Sequence, residues 1–266
     1  ESLRDQKLSL ESARDLLHEA NSQLRDEVDA LIKADETKSP FPSCAAMDSN
    51  VKLQGGIPVK QKIRDLKAFA EFIQHGMSFD PETQKELYYS ARDVRSFLGG
   101  LAMSRLHLLQ GISGTGKTSL PLAFARSIGA GCALVEIQAG WRDRQDLIGH
   151  FNTFEKRFYE TEFLQALYRA SLPAYRERPF VIVLDEMNLS HPEQYFADLL
   201  SALEQDQRHQ RLVLMTAAVE SAPQLLIENG TKLPIPPNVW FVGTANHDET
   251  TKDFADKTYD RAHVME

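Results

Sequence analysis

Residues 111–118 read Gly-Ile-Ser-Gly-Thr-Gly-Lys-Thr and match the pattern G-x-x-x-x-G-K-[ST] in full. The apolar run Leu106–Gln110 (LHLLQ) before them reads as a strand, and a helix is expected to begin near Lys117. That setting is the one the pattern needs. Glycines at 111, 114 and 116 let the backbone turn inward, so that successive N–H groups point at phosphate oxygens. The following helix offers its positive end to the same anion. Gly111, Ser113, Gly114, Thr115, Gly116, Lys117, Thr118 and Ser119 are thus the expected phosphate cradle. Lys117 is expected to reach the terminal phosphates and the Thr118 hydroxyl to ligate Mg²⁺. A chance glycine-rich turn is the competing reading, and the flanking strand and helix argue against it.

Further strands are expected on either side in the chain. Ala133–Ile137 (ALVEI), Phe180–Leu184 (FVIVL) and Val239–Gly243 (VWFVG) are short apolar runs that alternate with helix-compatible sequence. Such alternation predicts an α/β domain built on a mostly parallel sheet flanked by helices. Phe180–Leu184 runs straight into Asp185 and Glu186, a carboxylate pair at a strand's carboxyl end, where ligands bind in open α/β sheets. Asp185 is expected to hold Mg²⁺, and Glu186 to orient and deprotonate an attacking water. Asn246 closes the run Phe241-Val-Gly-Thr-Ala-Asn. Its amide suits a γ-phosphate or the attacking water, and a turn residue is the alternative.

Composition is that of a globular chain: 42% hydrophobic and 26% charged over 266 residues, with a net charge of −8. A polycationic nucleic-acid binder is excluded for the chain as a whole. Cys44 and Cys132 are its two cysteines, too few for a disulfide scaffold, which favours a reducing, cytoplasmic setting. No run approaches the roughly 18 apolar residues of a membrane span. The start at Glu-Ser-Leu and the end at Glu266 inside a strand-like segment read as a piece of something longer.

Residues 1–39 differ from the rest. Leu3, Leu10, Leu17, Leu24 and Leu31 recur every seventh position, and glycine and proline are absent until Pro40. This predicts a long amphipathic helix, a possible coiled coil. The second seam is poor, with Lys7, Arg14, Asn21 and Val28, so packing on another part of a longer protein competes with self-association. Residues 40–61 hold prolines and a Gly-Gly pair and read as a linker. A helix is expected from about Lys62 to Gly76 and another from Pro81 to about Gly99, with Asp80 as its N-cap. Residues 62–266 would form the α/β domain.

GISGTGKT, VIVLDE and FVGTAN, in that order, resemble the Walker A, Walker B and sensor 1 motifs of an AAA+ NTPase. The stretch from Gln138 to Phe151 is similar to the element inserted in helix 2 of the McrB, MoxR and dynein-related branch. Asp185-Glu-Met-Asn188 and Leu233–Asn246 look most like the McrB group, with MoxR-like proteins the second choice. The resemblance implies a hairpin within 211–233, a hexameric ring, and an arginine donated across the subunit interface. It places that finger at Arg261, with Lys257 the second candidate and an ion pair of Arg261 with Asp256 or Asp260 the alternative. The family's helical lid, with its sensor 2 arginine, would follow the last strand, and the chain ends before it. ATP is the default nucleotide of the wider class. McrB itself prefers GTP, but the segment Gly243–Asp248 departs from its pattern, leaving ATP or GTP open.

In this branch McrB-like rings drive a nuclease partner along DNA in restriction or defence, and MoxR-like rings remodel a protein client. Trp141, Arg142 and Arg144 suit base stacking and phosphate contact, or a packed tryptophan with solvated arginines. Lys156, Arg157 and Phe158 add basic charge nearby. His150, His191 and His247 lie near motifs but not at metal-ligand spacing, and no nuclease constellation is visible.

Overall fold

A computed structural model of the chain describes residues 24–25, 39–56, 63–81, 83–246, 252 and 254–266. Contacts divide it into Glu1–Ser39 and Pro40–Glu266. The heptad helix expected over 1–39 lies, apart from 24–25, outside the described residues.

The second unit opens with α1 (Pro42–Asp48), α2 (Val51–Gln54) and α3 (Leu66–Gly76), a small hairpin of β1 (Phe79–Asp80) and β2 (Lys85–Glu86), and α4 (Ala91–Met103). The alternating part follows: β3 (Leu106–Gly111), α5 (Ser119–Ser127), β4 (Gly131–Glu136), α6 (Arg144–Ile148), a hairpin of β5 (Gly149–Asn152) and β6 (Arg157–Glu160), α7 (Glu162–Ser171) and β7 (Phe180–Asp185). Then come α8 (Pro192–Tyr195), α9 (Ala197–Leu203), a hairpin of β8 (Arg211–Val213) and β9 (Lys232–Pro234), β10 (Val239–Asn246), α10 (Asp256–Tyr259) and β11 (Ala262–Met265). Each expected strand is present, extended by a residue or more at one end or the other, and the hairpin expected within 211–233 is β8–β9.

Five strands form one sheet in the order β11-β3-β10-β7-β4, every pair parallel. Both faces are covered, as parallel sheets require. On β7, Val181 and Val183 pack with α3, α4 and α5, while Ile182 and Leu184 pack on the other face with α7 and α9. Period-two alternation thus sends apolar residues to both sides, and the strand reads as an unbroken hydrophobic run. Register sets the site: Gly243 pairs with Leu184, and Asn246 with Gly111. The ends of β3, β10 and β7 therefore lie side by side at one edge.

Two expectations are corrected. Residues 40–54 are packed structure rather than linker. Phe41 is fully buried and stacks on Phe158 with centroids 4.8 Å apart. Pro42 occupies the first turn of α1, and the Glu160 carboxylate accepts from the Ser43 and Cys44 amides at 2.7 and 2.8 Å, doing the work of an N-cap from a distant element. Asp48 accepts from the Tyr168 hydroxyl at 2.7 Å and the Gln224 amide at 2.9 Å. No helix starts at Pro81. Asp80 is engaged by Arg126 and Thr83 instead, and Gln84 takes a left-handed turn at φ 56°. The helix begins at Ala91, where Ser90 and Asp93 form a reciprocal capping box. Pro192 to Leu203 forms two helices, α8 and α9, divided at Phe196.

Candidate functional site

The loop between β3 and α5 is curled, not extended. Gly114 and Gly116 hold φ of 81° and 86°, values that a Cβ would strain. Lys117 folds back over it, its Nζ donating to the carbonyls of Gly111 at 3.1 Å and Ile112 at 2.6 Å. Ser113, Gly114 and Thr115 are exposed, and Thr115 closes the turn through its hydroxyl on the Ile112 carbonyl. Ser119 opens α5. Thr118 stands at the N-cap position of that helix, yet no side chain caps it. Its hydroxyl goes elsewhere, to Asp185. The N-terminal end of α5 is thus presented towards the loop with its dipole available to an anion.

The carboxyl ends of β7 and β10 supply the other wall. Asp185 Oδ1 accepts from the Thr118 hydroxyl and from the Thr244 hydroxyl, each at 2.6 Å. The Glu186 amide donates to Thr244 Oγ1 at 2.9 Å, and Glu186 itself is left-handed, at φ 52° and ψ 47°. The Asn246 side-chain amide reaches Glu186 Oε1 at 3.3 Å. Asn188 braces this end of the sheet: it donates to the Asn246 carbonyl at 2.8 Å and accepts from the Asn246 amide at 3.3 Å. The sheet thus brings Lys117, Thr118, Asp185, Glu186 and Asn246 together. Asn246 is the last residue of β10, not a turn residue. Thr244 and the bracing by Asn188 were missed in the sequence, although both lie inside quoted motifs. A buried threonine in a strand reads as filler until the register sets it beside Asp185.

Arg261 is elsewhere. Ala262 pairs with Leu106 at the amino end of β3, so Arg261, one residue earlier, lies roughly 20 Å from Gly111 along the strand at the usual rise per residue. Its guanidinium pairs with Glu204 and donates to the Lys257 carbonyl at 2.6 Å. An ion pair is present as the alternative foresaw, but its partner is Glu204 rather than Asp256 or Asp260.

Trp141 packs edge-on against Tyr195 at 5.4 Å, and Arg144 pairs with Asp198 at 3.2 Å and bonds the Val213 carbonyl. Phe158 is fully buried. His150 stacks on Tyr159, His191 bonds Glu193, and His247 lies outside the described residues. Burial, with His263 alongside, pushes His107 down to about 4. Among the described residues no cluster of three or more His, Cys, Asp or Glu is placed to hold a metal, and no helix is long and apolar enough to cross a membrane. For Mg²⁺ the donor set nonetheless fits. A hydroxyl and one carboxylate converge, which is what this ion takes when phosphates and water complete its shell.

A family model described as AAA domain (dynein-related subfamily) matches residues 107–262, from β3 to the first residue of β11. No curated protein matches the chain. The matched span holds the curled loop, both carboxylates and Asn246, and AAA domains in general are ATPases that use ATP with Mg²⁺ and commonly assemble as rings. The chain belongs to the dynein-related subfamily of AAA domains.

Proposed function

We propose that the chain is the motor of a McrB-like DNA restriction or defence system, hydrolysing ATP or GTP with Mg²⁺ at the subunit interfaces of a hexameric ring. The observation that carries this reading is the hydrogen-bonded series Thr118–Asp185–Thr244–Glu186–Asn246, set beside the Lys117 loop. Main-chain amides of residues 111–119 and the Lys117 ammonium hold the phosphates. Thr118 and Asp185 would hold Mg²⁺, which would supply neutralisation of phosphate charge. Glu186 orients the attacking water and takes its proton, while Asn246 steadies the Glu186 carboxylate. Arg261 lies too far from its own chain's loop to reach that phosphate, which supports the reading that it serves the site of a neighbouring copy.

The McrB-like assignment rests on the resemblance of Asp185–Asn188 and Leu233–Asn246 to that group, with a nuclease partner chain and DNA as its partners. One observation favours a second reading, a MoxR-like ATPase that remodels a protein client. Trp141 and Arg144 are engaged within the chain, which removes the plainest handle for DNA. Turnover of ATP and GTP by the full-length protein, with and without DNA, separates the two. DNA-stimulated hydrolysis supports the motor. Hydrolysis indifferent to DNA, with a protein client retained by Glu186→Gln, supports the chaperone. A full-length protein that hydrolyses neither nucleotide rules out both.

A further inference from the structure

Thr244 belongs to no group assigned above, yet it touches two of them. It is 2% exposed, its hydroxyl donating to Asp185 Oδ1 at 2.6 Å and accepting from the Glu186 amide at 2.9 Å. We propose that Thr244 is a positioning residue for hydrolysis, its hydroxyl fixing the Asp185 carboxylate and the Glu186 main chain at once. The proposal rests on the reading of this pocket as an NTPase site.

Two geometric facts support it. Glu186 occupies the left-handed region, at φ 52°, which a residue bearing a Cβ keeps only where its surroundings hold it. The Thr244 hydroxyl is the acceptor that receives its amide there, and from this backbone the Glu186 carboxylate meets Asn246. On the other side, Asp185 Oδ1 is shared by two hydroxyls, Thr118 from the phosphate loop and Thr244 from β10. Two donors on one oxygen, one from the start of α5 and one from β10, restrain the orientation of the carboxylate. One buried hydroxyl therefore ties the magnesium-holding acid to the orientation of the water-activating one. Valine has the shape of threonine without this hydroxyl. It would leave the Glu186 N–H without its acceptor and Asp185 with one donor fewer.

The test is steady-state ATP and GTP hydrolysis by the full chain over a Mg²⁺ series, for wild type, Thr244→Val and Thr244→Ser, with thermal unfolding followed alongside. Thr244→Val is expected to lower kcat roughly 10- to 100-fold and to raise the Mg²⁺ concentration at half-maximal rate, while the nucleotide KM stays within about threefold. Thr244→Ser, which keeps the hydroxyl, should recover kcat to within about threefold of wild type. Where Thr244→Val does not fold, Thr244→Ala gives the same comparison against serine. A hydroxyl-free variant with kcat and Mg²⁺ dependence within about twofold of wild type overturns the proposal, as does a serine variant no faster than it. Wild type without Mg²⁺-dependent turnover overturns the NTPase reading itself, and this proposal with it, whereas wild-type turnover matched by Thr244→Val overturns this proposal alone.

Discussion

The two edges of the parallel sheet carry different sets of candidate residues. At the carboxyl edge, Thr118, Asp185, Glu186 and Asn246 join through Thr244 in one hydrogen-bonded series beside the Lys117 loop. At the amino edge, Arg261 sits at the start of β11 and pairs with Glu204. On the proposed reading, one chain carries the groups for phosphate, magnesium and water, and the cation for the transferring phosphoryl group would come from a second copy. That division is what a site shared between copies requires.

The largest effect expected from this division is the loss of Arg261. Arg261→Ala should slow turnover by about 10³- to 10⁵-fold, read as steady-state hydrolysis at saturating nucleotide. Mixing it with Glu186→Gln should restore part of the rate, because mixed rings contain interfaces that carry both native groups. No recovery on mixing would break the comparison by placing both groups in one chain's site. Glu186→Gln alone should cost about 10²- to 10⁴-fold in kcat while fluorescent nucleotide still binds. Phe41→Ala probes the packed segment at the other end of the unit and should destabilise it by about 3–5 kcal/mol in urea unfolding.

Smaller effects sharpen the link between the edges. His107 on β3 meets His263 on β11, Nε2 to Nδ1 at 3.1 Å, and Phe97 stacks on it. With His107 held down to about 4 by burial first and His263 second, the unfolded chain binds the extra proton between that value and the ordinary histidine range. Stability contributed by neutral His107 is therefore present above about pH 6.5 and lost as pH falls toward 4, at up to about 1.4 kcal/mol per pH unit. Urea titrations across that window should show the slope in wild type and a shallower one in His107→Gln. Smallest is Glu204→Gln, a half-exposed pair, expected to change stability by less than about 1 kcal/mol.

What was legible in the sequence was local. The glycine spacing at 111–116 and the apolar run into Asp185 carry their own geometry, so the pocket and its sheet could be read directly. What failed depended on distant partners. Pro40–Gln54 has the composition of a linker, and partners more than a hundred positions away, Phe158, Glu160, Tyr168 and Gln224, make it structure. The Pro81 helix is an avoidable miss, since Ser90 and Asp93 spell a capping box. Thr244 needed the register of β10 on β7 to be seen beside Asp185, and Glu204 as the partner of Arg261 needed the fold of α9.

The carboxyl-edge pocket is proposed to hydrolyse a nucleoside triphosphate with help from a second copy. Its most direct test is turnover per chain of the full-length protein with Mg²⁺, measured across protein concentration beside Glu186→Gln. The expected result is a rate per chain that climbs as copies associate and vanishes in the variant while nucleotide remains bound. A rate per chain independent of concentration, or one that survives Glu186→Gln, would contradict the account.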